Sequence, residues 1–235
     1  YLPSDFCNTH GAMLDATTDD AIHVYESSAI QRIVNGTWSA NYTVDDKFEY
    51  YYNAIHDANY YLTTLSGLTF DTWENGDDYQ DWMQNYDNYQ YQVRFLRAYF
   101  YFELVRRYQN VPLITKPLSQ TETNQIEPSS AKEVLKFIIN ECTEIAPKLP
   151  IKGTSIARAE NGRATRAMAM ALKSRAALYA ASPLYNTNGD NAKWTEAAKA
   201  SHDIIASAGE LGTGVDTSAN LFKSRSYNRK KSMLC

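Results

Sequence analysis

No stretch of this 235-residue chain holds the roughly 18 apolar residues that a membrane-spanning helix requires. The densest apolar run, Phe95 to Val105, is broken by Arg97 and Glu103. Cysteine is scarce: Cys7, Cys142 and Cys235 are odd in number and far apart, which fits neither a disulfide framework nor a zinc site. Glycine and proline supply only 17 residues, far below collagenous or low-complexity levels. The four histidines, His10, His23, His56 and His202, are isolated and read as structural or surface residues, so no metal site is expected. Nucleophile-elbow, P-loop, dinucleotide-binding and H-E-x-x-H patterns are all missing. Paired acids such as Asp19–Asp20, Asp45–Asp46 and Asp77–Asp78 are neighbours in sequence, not partners across a substrate, and do not support glycoside hydrolysis. The expectation is no enzyme, no catalytic residue and no cofactor. Tyr1 to Ala12 lacks the basic start and apolar stretch of a signal peptide.

Charge of one sign is also scarce in the first part of the chain. Residues 1–90 carry 15 acids against only Arg32 and Lys47, a balance of −13, whereas residues 91–235 balance at +9. Attraction between the two halves is the reading favoured over two separate binding surfaces. The bases are scattered among acids, which argues against nucleic acid as a partner.

What is present is helical periodicity. Between Asp45 and Leu65, the residues Phe48, Tyr51, Tyr52, Ile55, Ala58, Leu62 and Leu65 recur at three- and four-residue steps. Thr43 and Asp46 have the spacing of a capping box, and Gly67 follows as a stop. A second helix is expected from about Asn88 to Tyr108, with two apolar stripes, ended by Pro112. A third begins at Ser130, with Glu133 at capping-box spacing, and runs towards Pro147. A loop over Ile151 to Gly162 precedes an alanine-rich helix, Ala164 to Ser182, and a fifth helix, Lys193 to Ala208, closed by Gly209. The fold expected is all-α, built of tetratricopeptide-like antiparallel helix pairs, although the helix starts are too irregular to fix a repeat period.

The segment Phe70 to Tyr91 is read as a loop of acids, amides and seven aromatics with no base. Trp73 and Trp82 fall where a calcium loop needs oxygen ligands, so an EF-hand is rejected. Two readings stay open. The rings could form a carbohydrate surface, stacking on sugars while carboxylates and amides accept hydroxyl protons, or they could pin the loop to the helices. The 18 tyrosines admit the same pair of explanations, a polar-apolar interface or core packing with a polar tip.

In their order and wording, YYNAIHDANYYL (51–62), RFLRAYFYFELVRRYQNVPLIT (94–115) and GRATRAMAMALKSRAALYAASPLYN (162–186), followed by Trp194 and NLF at 220–222, resemble the SusD/RagB family. The resemblance implies a lipid-anchored, surface-exposed outer-membrane protein of Bacteroidota. It implies binding of a glycan without catalysis, and delivery of that glycan to a SusC-like TonB-dependent transporter. It implies sugar sites on shallow aromatic and polar surfaces, built partly from the loop before the first long helix. There, Asp19 and Asp20 are expected as hydroxyl acceptors, His23 as a hydrogen-bond donor and Tyr25 as a stacking platform, with Trp38 beside them. Trp73 and Trp82 are the second choice. Residues 1–222 read as the N-terminal helical portion of such a protein, with the lipid anchor and the later part of the family not present. Residues 223–235 read as an atypical basic tail from a truncated or frame-altered end. The rival expectation is a helical-repeat scaffold for a protein partner without its own sugar site, using Arg94, Arg97, Arg106 and Arg107 on exposed helix faces.

Overall fold

The computed structural model describes residues 14–19, 21, 22, 24, 29–41, 43, 46–70, 74, 76, 78–151 and 162–212. Among them are seven α-helices and no strand beyond an isolated antiparallel bridge between Val111 and Ser129. The chain divides into two compact units, Tyr1–Tyr52 and Asn53–Cys235.

In the first unit a 3-10 turn, Leu14–Thr17, precedes a short helix α1, Ala29–Val34. Ala16 and Gln31 are buried, while Ile22 and Val24 are exposed. Helix α2 starts at Phe48, and Asp46 Oδ1 accepts the Phe48 N–H at 3.1 Å. Asp46 thus receives the start of the helix two residues ahead of it, where the sequence suggested a box with Thr43.

In the second unit α2 continues to Tyr60, burying Ala54, Ile55 and Ala58 as the apolar stripe requires. The next residues, Tyr61–Leu65, widen into a π-helical turn, and Gly67 then takes φ +77°, a left-handed value that glycine adopts without steric cost. Helix α3 runs over 30 residues, Tyr79–Tyr108. The expected loop up to Tyr91 is therefore helical from Tyr79 onward, and the expected start at Asn88 is nine residues late. Aliphatic residues are nearly absent from 79–91, so a reading based on aliphatic stripes passes over it; the stripe there is aromatic.

A short helix α4, Gln120–Thr123, and the longer α5, Ala131–Ile145, both open with complete capping boxes, Ser119 with Glu122 and Ser130 with Glu133. Each serine oxygen accepts the glutamate's N–H, and each glutamate carboxylate accepts from the serine. Only the second box was visible from periodicity, because α4 is a single turn. Helix α6, Arg166–Ala181, is capped by Thr165, and α7, Asn191–Ala206, by Asp190. The chain after α7 turns through Ser207–Gly212, and the left-handed φ of +62° falls at Gly212 instead of the expected Gly209.

Helix α3 packs on α5, α5 on α6, and α6 on α7, each on its neighbour in order. This is the tetratricopeptide-like all-α arrangement expected. Alanines Ala167, Ala169, Ala176, Ala177 and Ala181 are buried along α6, where small side chains let two neighbouring helices approach. Phe100, Tyr101, Phe102, Leu104 and Val105 of α3 join Val134, Leu135, Ile138 and Ile145 of α5 in the core.

One charged network holds the middle of this unit. Arg97 is 6% exposed; its Nη2 donates to Glu141 Oε2 at 3.0 Å, and its Nη1 donates to Asn59 Oδ1 at 2.9 Å and to the Thr115 carbonyl at 3.2 Å. Arg94 Nη2 donates to Glu141 Oε1 at 2.7 Å and to Glu144 Oε2 at 2.8 Å. Those two hydrogen bonds raise the Arg94 pKa, and Arg94 in turn lowers that of Glu144. Asn59 Nδ2 donates to the Ile114 carbonyl at 3.0 Å. The Tyr101 hydroxyl donates to the same carbonyl at 2.8 Å and accepts the Ile114 N–H at 2.7 Å. The extended segment after Pro112 is therefore pinned by side chains, which replace the strand partners that it lacks. These contacts correct one expectation. Arg94 and Arg97 do not lie on an exposed partner face, and Arg106 and Arg107 both pair with the buried carboxylate of Glu103. Arg94, Arg97, Arg106 and Arg107 all find a carboxylate within the basic half of the chain.

Candidate functional site

The first three turns of α3 present an aromatic stripe. Trp82, Tyr86 and Tyr89 follow one another at four and three residues, which places them along one helix face. The Trp82 and Tyr86 rings stack, with centroids 5.5 Å apart and planes 19° apart. Phe70, from the segment before the helix, stands edge-on to both, at 5.0 Å from Trp82 and 5.3 Å from Tyr86. Tyr89 meets Tyr86 edge-on at 6.4 Å, and the Arg163 guanidinium covers Tyr89 at 4.5 Å. The Tyr86 hydroxyl donates to the Leu65 carbonyl, tying the helix to the π turn.

Tyr86 is thus enclosed, while Trp82 at the outer end is 42% exposed. The pinning reading holds for the tyrosines and Phe70, while the indole that they support faces solvent. A large apolar ring held rigidly at the surface has already lost its conformational freedom, so stacking a ligand on it costs little further order.

Acids flank the ring in sequence. Glu74, Asp78, Asp81 and Asp87 are exposed, and residues 60–91 contain no lysine or arginine. Asn85 Nδ2 donates to the Asp81 carbonyl at 3.0 Å, which leaves its buried Oδ1 without a partner among the described residues. The Tyr61 hydroxyl is also buried without a partner there, and burial, then the neighbouring Tyr86, Tyr89 and Asp87, raise its pKa. The surface therefore combines a flat apolar face with exposed carboxylates that can accept hydroxyls, which suits a polyhydroxylated ring.

Of the residues singled out from sequence, Trp82 belongs to this surface, at its outer end. Asp19 and Trp38 are both exposed and belong to the first unit, Trp38 at 60%. Asp20, His23, Tyr25 and Trp73 lie outside the described residues, as do residues 152–161 of the expected loop and the whole of 213–235. Phe70, Tyr86, Asp78 and Asn85 were not singled out. The four-and-three spacing of Trp82, Tyr86 and Tyr89 was the signal that could have found them.

A second concavity, a cleft of about 280 Å³, lies between α5, α6 and α7 and is lined by Cys142, Arg166, Lys173, Asp203 and Glu210 among others. Arg166 is committed there to structure: it donates to the Ala146 and Pro147 carbonyls, both at 3.2 Å, and to Glu210 at 3.1 Å. Burial pushes the Cys142 thiol up to about 12, so it is not an activated nucleophile. Among the described residues no cluster of three or more histidine, cysteine or acidic side chains is placed to hold a metal.

The described helices thus form a row of packed pairs, and one of them carries an open aromatic shelf at the surface. Residues 5–178 match a SusD-like family described as "Starch-binding associating with outer membrane", and the chain belongs to that family. A SusD-like carbohydrate-binding protein from Bacteroides fragilis is 27% identical, with a TM-score of 0.66 over 92% of this chain and 37% of its own. A laminarin-binding SusD-like protein shares the fold, with a TM-score of 0.67 at 24% identity over 92% of this chain and 43% of its own. A SusD superfamily protein from Parabacteroides distasonis is 25% identical, with a TM-score of 0.55 over 76% of this chain and 35% of its own. The chain thus spans about two fifths of the length of these relatives. No curated protein sequence matches it.

Proposed function

We propose that this chain binds a glycan at the cell surface without breaking bonds in it, as part of a protein that passes the glycan to a SusC-like TonB-dependent transporter. The observation that carries the reading is Trp82, exposed yet fixed by Phe70 and Tyr86 at the outer end of an aromatic stripe. In this reading the indole is the platform for one sugar ring, and Asp78 accepts its hydroxyls. Asp19, Asp20, His23, Tyr25, Trp38 and Trp73 are proposed as further glycan contacts. The family description and the carbohydrate-binding relatives support the ligand class, and the family description supports an outer-membrane location, where a lipid anchor is proposed as the attachment. Affinity for a single site should be modest, because an open shelf leaves much of the ligand in water.

Electrophoresis through gels cast with individual polysaccharides tests this. At least one polysaccharide should retard the wild-type chain, and Trp82→Ala should lose about tenfold in affinity, equivalent to ~1.4 kcal/mol. Release of reducing sugar from the retained polymer would contradict the non-catalytic role. Equal retardation of wild type and variant would remove Trp82 from the site.

A further inference from the structure

Asp78 differs from every other capping residue of the longer helices in the second unit. Ser130, Thr165 and Asp190 each turn a side-chain oxygen onto the N–H groups of the first turn. Asp78 occupies the same position ahead of α3, yet its carboxylate makes no such bond. It is exposed, and no hydrogen bond or ion pair of that carboxylate is found among the described residues. Trp82 lies one helical turn on, its N–H bonded to the Asp78 carbonyl at 3.0 Å, so the free carboxylate and the indole share a face. Glu74 and Asp81 add exposed negative charge nearby. The cation over Tyr89, Arg163, reaches the stripe seven residues beyond Trp82, about 10 Å along the helix axis. That places the cation farther from the indole than Asp78, which lies one helical turn away.

We infer that this surface selects glycans that carry no carboxylate or sulfate, and that Asp78 sets the choice. The inference rests on the glycan-binding reading above. A sugar hydroxyl can donate to the Asp78 carboxylate, whereas a uronate or sulfate on the stacked ring brings a second anion against it with no described cation between them. Like-charge contact of this kind rejects a ligand more effectively than added contacts attract one.

The test uses the full chain and two sets of polymers, laminarin, amylopectin and xyloglucan against polygalacturonate, alginate and dextran sulfate, at 20 and 300 mM NaCl. The readout is the part of the binding that Trp82→Ala removes, so that polyanions held elsewhere on the basic half are not counted. The expected result is Trp82-dependent binding of at least one uncharged polymer, nearly independent of salt, and none of any acidic polymer at 20 mM. Asp78→Lys should confer Trp82-dependent binding of an acidic polymer that strengthens at least threefold on going from 300 to 20 mM. Should that variant not fold, Asp78→Asn is read instead, and it should weaken uncharged-polymer binding about threefold; an unchanged affinity overturns the role of Asp78. Trp82-dependent binding of an acidic polymer by the wild type overturns the selectivity and leaves the glycan reading standing. Absence of Trp82-dependent binding to either set removes both.

Discussion

Helix α3 is one continuous helix with two kinds of half. Residues 79–91 are largely exposed or half-buried, with aromatic rings stacked along the surface and carboxylates in solvent. Residues 92–108 bury Phe95, Arg97, Phe100, Tyr101, Phe102, Glu103, Leu104 and Val105, and every charge buried there is matched. The second half is constrained by three neighbours at once: Glu141 on α5, Asn59 on α2 and the segment at Ile114. The first half answers mainly to Phe70 and the π turn. A substitution in one half should therefore be felt as stability, and in the other as binding.

Removing Glu141 should have the largest effect. It is the carboxylate shared by Arg94 and Arg97, and its loss leaves a guanidinium that is 6% exposed without its ionic partner. Glu141→Ala should cost ~3–5 kcal/mol, because breaking a buried pair exposes the full desolvation penalty of the remaining charge. Denaturant unfolding measures it. A loss below about 1 kcal/mol would erase the distinction between the halves.

Next comes Tyr101→Phe, which strips the Ile114 N–H and C=O of a shared partner and should cost ~1–3 kcal/mol. It also carries a pH signature. Burial raises the Tyr101 hydroxyl from 10.0 to about 12, partly offset by the Ile114 hydrogen bond and Arg97, and burial raises the Cys142 thiol from 9.0 to about 12. Above the unfolded values the unfolded chain releases protons that the folded chain retains. Stability is therefore whole below pH 9 and falls between pH 9 and 12. Urea midpoints across that range should decline in the wild type, and Tyr101→Phe should make the decline above pH 10 shallower, the rest belonging to Cys142 and to the raised Tyr61, Tyr99 and Tyr185. A flat wild-type profile would contradict the burial of both groups. Trp82→Ala, by contrast, should leave the urea midpoint within about 1 kcal/mol of wild type while glycan affinity drops tenfold.

The same division explains what could be read from sequence. The buried halves of the helices advertise themselves, because core residues must recur at 3.6 and must be apolar: Val134, Leu135, Ile138, Cys142 and Ile145 marked α5, and Ser130 with Glu133 marked its start. Helix α3 was legible from Asn88 onward for the same reason. Its first half was not, since a surface helix need not be aliphatic and its order comes from rings stacked on one another. Trp82 was legible as a residue type but not as a position, because its neighbour Phe70 is 12 residues away and outside the helix. Arg97 was misread as a surface base: its carboxylate lies 44 residues further on, and a charge stripe alone does not reveal a long-range partner.

The smallest effects make the sharpest test, because they set two residues of similar position against each other. Ser130 caps α5 reciprocally with Glu133, and Ser130→Ala should cost ~1 kcal/mol of stability with no change in glycan binding. Asp78 stands at the equivalent place on α3 without capping it, so Asp78→Asn keeps the side-chain shape and gives up only a weak interaction of the carboxylate with the helix dipole. Its stability cost should stay under ~0.5 kcal/mol. If Asp78→Asn destabilised the chain as much as Ser130→Ala does, the carboxylate would be serving the helix, and the surface around Trp82 would lose the acceptor assigned to it. If only binding moves, a residue in a capping position is held back from the fold and left to the ligand.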